Sequence, residues 1–136
     1  MSPSTVVLVE DDPTVRSVIE MLLATEPDLE LVGSTASAEE GIEVVRRLSP
    51  DLVLLDNQLD GELTGVQAAP ELKRAFPGAV VLLCTALDLA EVASATPGID
   101  GYLRKDRLAD LPEVARALLA GRAAAGTRSD PAPDPD

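Results

Sequence analysis

Acidic side chains stand directly behind two of the apolar runs in this chain. Glu10, Asp11 and Asp12 follow the run at residues 6–9, and Asp56 follows the run at residues 52–55. Thr85 and Ala86 come just after the run at 80–83, and Lys105 comes just after Tyr102 and Leu103. The chain has no histidine, so carboxylates gathered here would form a set of hard oxygen donors. Mg2+ suits such a set, held by one or two carboxylates and completed by water and phosphate oxygen. A lysine and a hydroxyl facing the metal can bind an anion, with Lys105 acting as a point charge. A carboxylate, a Mg2+ ion and a bound phosphoryl group permit one chemistry above all. Asp56 attacks phosphorus and becomes an acyl phosphate.

That chemistry requires the residues to meet, and the pattern of elements says how. Five short apolar runs recur, at 6–9, 29–32, 52–55, 80–83 and 102–103. Three are nearly continuous in Val and Leu, as expected of strands covered on both faces of a parallel sheet. Helix signals fill the gaps. Asp12-Pro13 reads as an N-cap followed by proline at the first helical position, with apolar residues then recurring at helical spacing. Ser37-Ala38-Glu39-Glu40 reads as a capping box. Thr64-Gly65-Val66-Gln67 opens a third helix that ends near Phe76, a fourth spans about residues 88–95, and a fifth is capped by Asp110 and stops at Gly121. Pro70 falls inside the third, which predicts a kink or a later start there.

Strands alternating with helices predict an α/β domain with a parallel sheet, and right-handed crossovers restrict its topology. Five units are too few for an eight-fold barrel, so the expected fold is a doubly wound five-stranded sheet in the order 2-1-3-4-5. Ligands of such sheets sit at the carboxyl ends of the strands, where strands 1 and 3 bring Asp11 and Asp56 together.

Composition sets the outer limits. The 136 residues carry 24 acids and 11 bases, a net charge of −13, which argues against nucleic acid and against an anionic membrane surface. The absence of histidine excludes Ser-His-Asp and Cys-His catalysis, and the single Cys84 excludes an internal disulfide. No targeting segment or membrane-length apolar run is present, and the expectation is a cytoplasmic protein. One domain is expected over residues 1–122, with a disordered acidic, proline-rich tail over 123–136.

Together these motifs resemble the receiver domain of two-component response regulators, the CheY-like family, over about residues 4–121. The segment from Val7 to Arg16 resembles the family's acidic pair, here Glu10 and Asp11, with Asp11 the direct Mg2+ ligand. Asp51 to Asp56 resembles the phosphoacceptor strand. Leu83-Cys84-Thr85-Ala86 resembles the segment whose hydroxyl binds the phosphoryl group, and Gly101 to Lys105 the segment holding a switch aromatic and a lysine. The resemblance implies that Asp56 is phosphorylated by a sensor histidine kinase or a phosphotransfer protein. Asp11, Asp56 and the Gln58 backbone carbonyl would hold Mg2+, and Thr85 and Lys105 the phosphate oxygens. Thr85 and Tyr102 would move together and reshape the face of the fourth helix, fifth strand and fifth helix, where a downstream protein binds. Leu87, Leu89, Val92 and Arg104 are candidates for that contact.

Three positions depart from the family pattern. Asp60 stands where proline is usual, the loop before Gly65 is one residue longer than the commonest form, and Asp106 follows Lys105 where many members have a cis proline. The last predicts a trans bond.

The product of this chemistry is a modified protein. The chain is therefore expected to assist its own phosphorylation and dephosphorylation without being an enzyme. The main expectation is a stand-alone receiver. The alternatives are a receiver-like module that never takes phosphate, a receiver cut from a longer transcriptional regulator, and a Mg2+-dependent phosphatase. The phosphatase reading suffers from Gln58, which stands where such enzymes carry a second aspartate.

Overall fold

A computed structural model describes residues 2–129 of the chain. Five parallel strands, β1 (Ser4–Val9), β2 (Leu29–Thr35), β3 (Leu52–Leu55), β4 (Val80–Thr85) and β5 (Gly101–Arg104), form one sheet in the order β2-β1-β3-β4-β5. The helices are α1 (Pro13–Ala24), α2 (Ala38–Leu48), α3 (Gly65–Ala75), α4 (Ala90–Ala95) and α5 (Leu111–Ser129). The expected doubly wound fold is therefore the observed one.

The two-residue period of the strands sorts their side chains onto two faces. Val6, Leu8, Leu52, Leu54, Leu82 and Cys84 pack with Ile19 and Leu23 of α1 and with Leu111 and Ala115 of α5. Val7, Val9, Val53, Leu55, Val81 and Leu83 pack with Val45 of α2, Leu72 of α3 and Ala93 of α4. Burying each large aliphatic side chain contributes about 1.5–3 kcal/mol. With only one Phe and one Tyr in the chain, these two layers of Val, Leu and Ala are the main driving force.

Register aligns the strand ends that carry the chemistry. Val9 pairs with Leu55, Leu55 with Leu83, and Thr85 with Arg104. Glu10, Asp56, Thr85 and Lys105 thus arrive together at the carboxyl ends of the strands.

β2 runs past its apolar stretch at 29–32 to Thr35, its pairing with β1 continuing beyond a register shift at Val6/Val7. Several local expectations are corrected. α3 starts at Gly65 and runs through Pro70. A complete capping box between Thr64 and Gln67 and the buried face of Ala68, Ala69 and Leu72 outweigh the amide that Pro70 lacks. The box read at Ser37 is half made, since Ser37 Oγ accepts the Glu40 amide and no return bond is formed. α4 begins at Ala90, without a side-chain cap.

Asp110 does not cap α5. A 3-10 turn at Lys105–Asp110 leads directly into it, and the Asp110 carboxylate pairs with Arg107. α5 passes Gly121 and reaches Ser129. Gly121 has no left-handed stop and is followed by Arg122 and three alanines, the best helix formers. Residues 123–129 of the expected tail are therefore helical in backbone, and 130–136 lie outside the described residues. No peptide bond among the described residues is cis, as expected after Lys105. No described helix is long and apolar enough to cross a membrane.

Candidate phosphoacceptor site

Lys105 lies at the centre of the site. Its Nζ is 3.0 Å from Asp56 Oδ2 and 3.0 Å from Glu10 Oε1. Both carboxylates are nearly sealed from solvent, Glu10 at 1% and Asp56 at 4% exposure. Backbone amides hold their other oxygens. Glu10 Oε2 accepts the Asp12 amide at 3.1 Å, and Asp56 Oδ1 accepts the Asn57 amide at 2.7 Å. Asp11 sits beside them, partly exposed, and one oxygen from each of Glu10, Asp11 and Asp56 lies within 4.8 Å of the others. Asp12 belongs to a different job: its Oδ1 accepts the Thr14 amide at 2.9 Å and caps α1.

The electrostatics follow from burial and crowding. Burial pushes the Glu10 carboxyl up to about 7, the Lys105 hydrogen bond opposes the rise, and the Asp56 charge adds to it. Burial also pulls against the Lys105 ammonium, but its hydrogen bonds to Glu10 and Asp56 win and leave it raised. With all three carboxylates ionised, one ammonium leaves two negative charges uncompensated. Asp11 has no salt-bridge partner among the described residues. An oxygen-only donor set with a double negative excess fits a small, hard divalent cation.

The remaining expected residues are placed less centrally. Thr85 is fully buried at the end of β4, and its Oγ1 accepts the Leu87 amide at 3.3 Å rather than bonding either carboxylate. The Tyr102 hydroxyl donates to the Leu87 carbonyl at 2.7 Å and accepts the Leu89 amide at 3.1 Å. Thr85 and Tyr102 therefore hold the same short loop, both through the Leu87 backbone. Gln58 is exposed in the loop after β3. Leu87 and Val92 are exposed, and Arg104 pairs with Asp106 at 3.4 Å. The other lysine, Lys73, is structural: it bonds the Ala79 carbonyl and Asp100.

Sequence reasoning missed two supports, Asn57 and Gly65, and the state of the Cys84 thiol. Asn57 accepts the Gly65 amide with its carbonyl and the Val66 amide with Oδ1, each at 3.0 Å, which ties the end of β3 to the start of α3. Gly65 is required there because a Cβ would overlap the Asp56 carbonyl oxygen. Cys84 packs on the same face as Glu10 and Asp56. Burial, helped by those two charges, pushes its thiol up to about 12, so it is no nucleophile. Only the Asn57–Gly65 spacing was visible in the sequence, and nothing in it marked a contact.

The family model for the response regulator receiver domain matches residues 6–116. The chain belongs to that family. It is 34% identical over 106 residues to the nitrate/nitrite response regulator protein NarL of Escherichia coli K12, covering 76% of this chain and 49% of that protein. It is 34% identical over 119 residues to the response regulator protein VraR of Staphylococcus aureus NCTC 8325, covering 85% and 56%. A LuxR-family two-component response regulator from Aurantimonas sp. SI85-9A1 superposes with a TM-score of 0.79 at 29% identity, covering 89% and 88%. The signal receiver domain of the NarL regulator from Mycobacterium tuberculosis gives 0.75 at 25% identity, covering 87% and 98%. The receiver thus spans about half the length of the curated relatives it matches. The acidic balance that argued against nucleic acid speaks for this stretch of chain alone and does not exclude a nucleic-acid contact by a longer protein.

Proposed function

We propose that the receiver takes a phosphoryl group on Asp56 from a phosphohistidine of a sensor kinase or phosphotransfer protein, with Mg2+. The observation that carries this reading is the Lys105 ammonium held 3.0 Å from both Asp56 and Glu10, inside a cluster of three carboxylates. Asp11 and Asp56 would hold the metal directly with the Gln58 carbonyl, and Glu10 would complete the acidic pair. Bound Mg2+ supplies charge neutralisation at the phosphoryl oxygens.

In the transfer, an Asp56 carboxylate oxygen forms a bond to phosphorus as the bond to the donor imidazole nitrogen breaks. That nitrogen leaves with the electron pair and is protonated from solvent. Lys105 keeps Asp56 oriented and then pairs with the phosphoryl oxygens. In dephosphorylation, a water oxygen bonds phosphorus as the bond to the Asp56 oxygen breaks; the carboxylate leaves with the electron pair, the water gives up its proton to solvent, and inorganic phosphate is released. The chain thus promotes a change in itself, not repeated turnover of a released substrate.

Output would pass through the loop that Thr85 and Tyr102 share. If Thr85 turns toward a phosphoryl group, the Leu87 amide loses its acceptor, and the surface carrying Leu87, Val92, Tyr102 and Arg104 changes shape. The doubled length of the relatives favours a second reading, in which this surface acts on a domain of the same protein rather than on a separate partner.

The test is incubation with acetyl phosphate and Mg2+, read by intact mass. Wild type is expected to gain one phosphoryl group, and Asp56→Ala is expected to gain none. No gain in wild type, or equal gain in both, would overturn the mechanism. Partner binding unchanged by beryllofluoride would favour a phosphorylation-independent module.

A further inference from the structure

We propose that Glu39 is a positioning residue for the Asp56 site: it clamps the β3–α3 loop and through it sets the Gln58 backbone. The inference rests on reading Asp56 as phosphoacceptor and adds a residue, on a different helix, to that reaction.

The loop from Asn57 to Thr64 leaves the site and returns to α3 between two anchors. The near anchor is the pair of bonds from Gly65 and Val66 to Asn57. The far anchor lies on the start of α2. Asp60 donates its amide to the Ala36 carbonyl at 3.2 Å. Glu39 Oε2 then accepts two successive amides, Glu62 at 3.2 Å and Leu63 at 3.3 Å. Gly61 makes the turn between them with φ +88°, and a Cβ there would meet Glu39 Oε1 at 2.6 Å. Gln58 lies between the anchors, exposed and without a hydrogen bond of its own among the described residues, so the anchors are what restrains its backbone.

Two features separate this from an ordinary acid at a helix start. First, the loop carries Asp60 and Glu62, and α2 presents Glu39 and Glu40, so like charges push the loop away from the helix. The bonds from Glu62 and Leu63 to a charged acceptor work against that repulsion. Hydrogen bonds from its own amide and from those two amides hold the Glu39 carboxyl below its ordinary range. Second, the neighbouring Glu40 has the same charge and sits in the same first helical turn, with no hydrogen bond or ion pair to the loop among the described residues. It is the internal control. The Asp60 bond also needs an amide that proline lacks, so the residue that departs from the family pattern is part of the anchor.

The experiment compares wild type, Glu39→Ala, Glu39→Gln and Glu40→Ala as full chains. Amide exchange at residues 62 and 63 is followed by NMR in metal-free protein, and Mg2+ affinity by calorimetry. The phosphorylation rate with acetyl phosphate is measured alongside. Glu39→Ala is expected to speed exchange at both amides and to weaken Mg2+ binding about tenfold, the scale of lost support around a metal ligand. Glu39→Gln keeps an acceptor oxygen and is expected to recover most of both. Glu40→Ala is expected to match wild type. Unchanged Mg2+ affinity in Glu39→Ala, or equal loss in Glu40→Ala, overturns the proposal. Loss of Mg2+ affinity in Glu39→Ala together with an unphosphorylated wild type supports the clamp and sinks the phosphoacceptor reading instead.

Discussion

Replacing Glu10 by Gln makes the metal-free protein more stable at neutral pH, and the size of the gain follows from the buried carboxyl. Folding raises the Glu10 pKa from 4.5 to about 7, through burial and the Asp56 charge against the opposing Lys105 bond. The rise corresponds to a free-energy difference of about 3 kcal/mol between the two protonation states. The sign is that of a raised folded pKa. Below pH 4.5 Glu10 is neutral in both states and costs nothing. Between 4.5 and about 7 the folded state binds more protons than the unfolded one, so stability falls as pH rises. Above 7 the full penalty is present.

Glu10→Gln mimics the neutral carboxyl at every pH. It is therefore expected to match wild type near pH 4.5 and to exceed it by about 3 kcal/mol above pH 7, or about 10 °C in Tm. Urea unfolding in EDTA from pH 4.5 to 8 reads the difference directly. Excess Mg2+ is expected to cancel or invert it, because only wild type gains the full binding free energy. A constant difference between the two proteins across this pH range would refute the reasoning, since Glu10 would then titrate alike folded and unfolded.

Four further outcomes follow from the same structure. Mg2+ binding to wild type at pH 6 releases a proton, because the metal requires the Glu10 carboxylate ionised; calorimetry in buffers of different ionisation enthalpy detects it. Gly65→Ala forces a Cβ against the Asp56 carbonyl oxygen, and about 1–3 kcal/mol of stability is lost together with phosphorylation, read by denaturation and intact mass. Tyr102→Phe removes the hydroxyl shared by Leu87 and Leu89, costs about 1 kcal/mol, and speeds amide exchange at Leu89. Asp60→Pro deletes the amide that bonds Ala36, lowers the urea midpoint by the equivalent of about 1 kcal/mol, and loosens exchange at Glu62 and Leu63.

The site was legible in the sequence where strands ended. Runs of Val and Leu mark the buried strands, the parallel topology aligns their ends, and Glu10, Asp11, Asp56 and Lys105 then meet without further information. What stayed hidden runs through the backbone. Glu39 bonds amides that any residue carries, at positions 62 and 63, so no side-chain pattern announces the pairing. Thr85 and Tyr102 were legible as types but not in their shared hold on the loop at Leu87. Pro70 and Gly121 misled for a related reason: local preference was outweighed, at Pro70 by a full cap and a packed helix face. At Gly121, the helix-forming alanines that follow offset the glycine.

Cys84 has a practical meaning beyond its place in the core. It is the only thiol in the chain, it is buried, and its high pKa leaves almost no thiolate at neutral pH. Maleimides and disulfide reagents therefore reach it only when β4 separates from α5, so its labelling rate is a clock for opening of the fold. A cysteine introduced on the surface near Leu87 would react alone, and a probe of the loop's movement could be attached without first removing the native thiol.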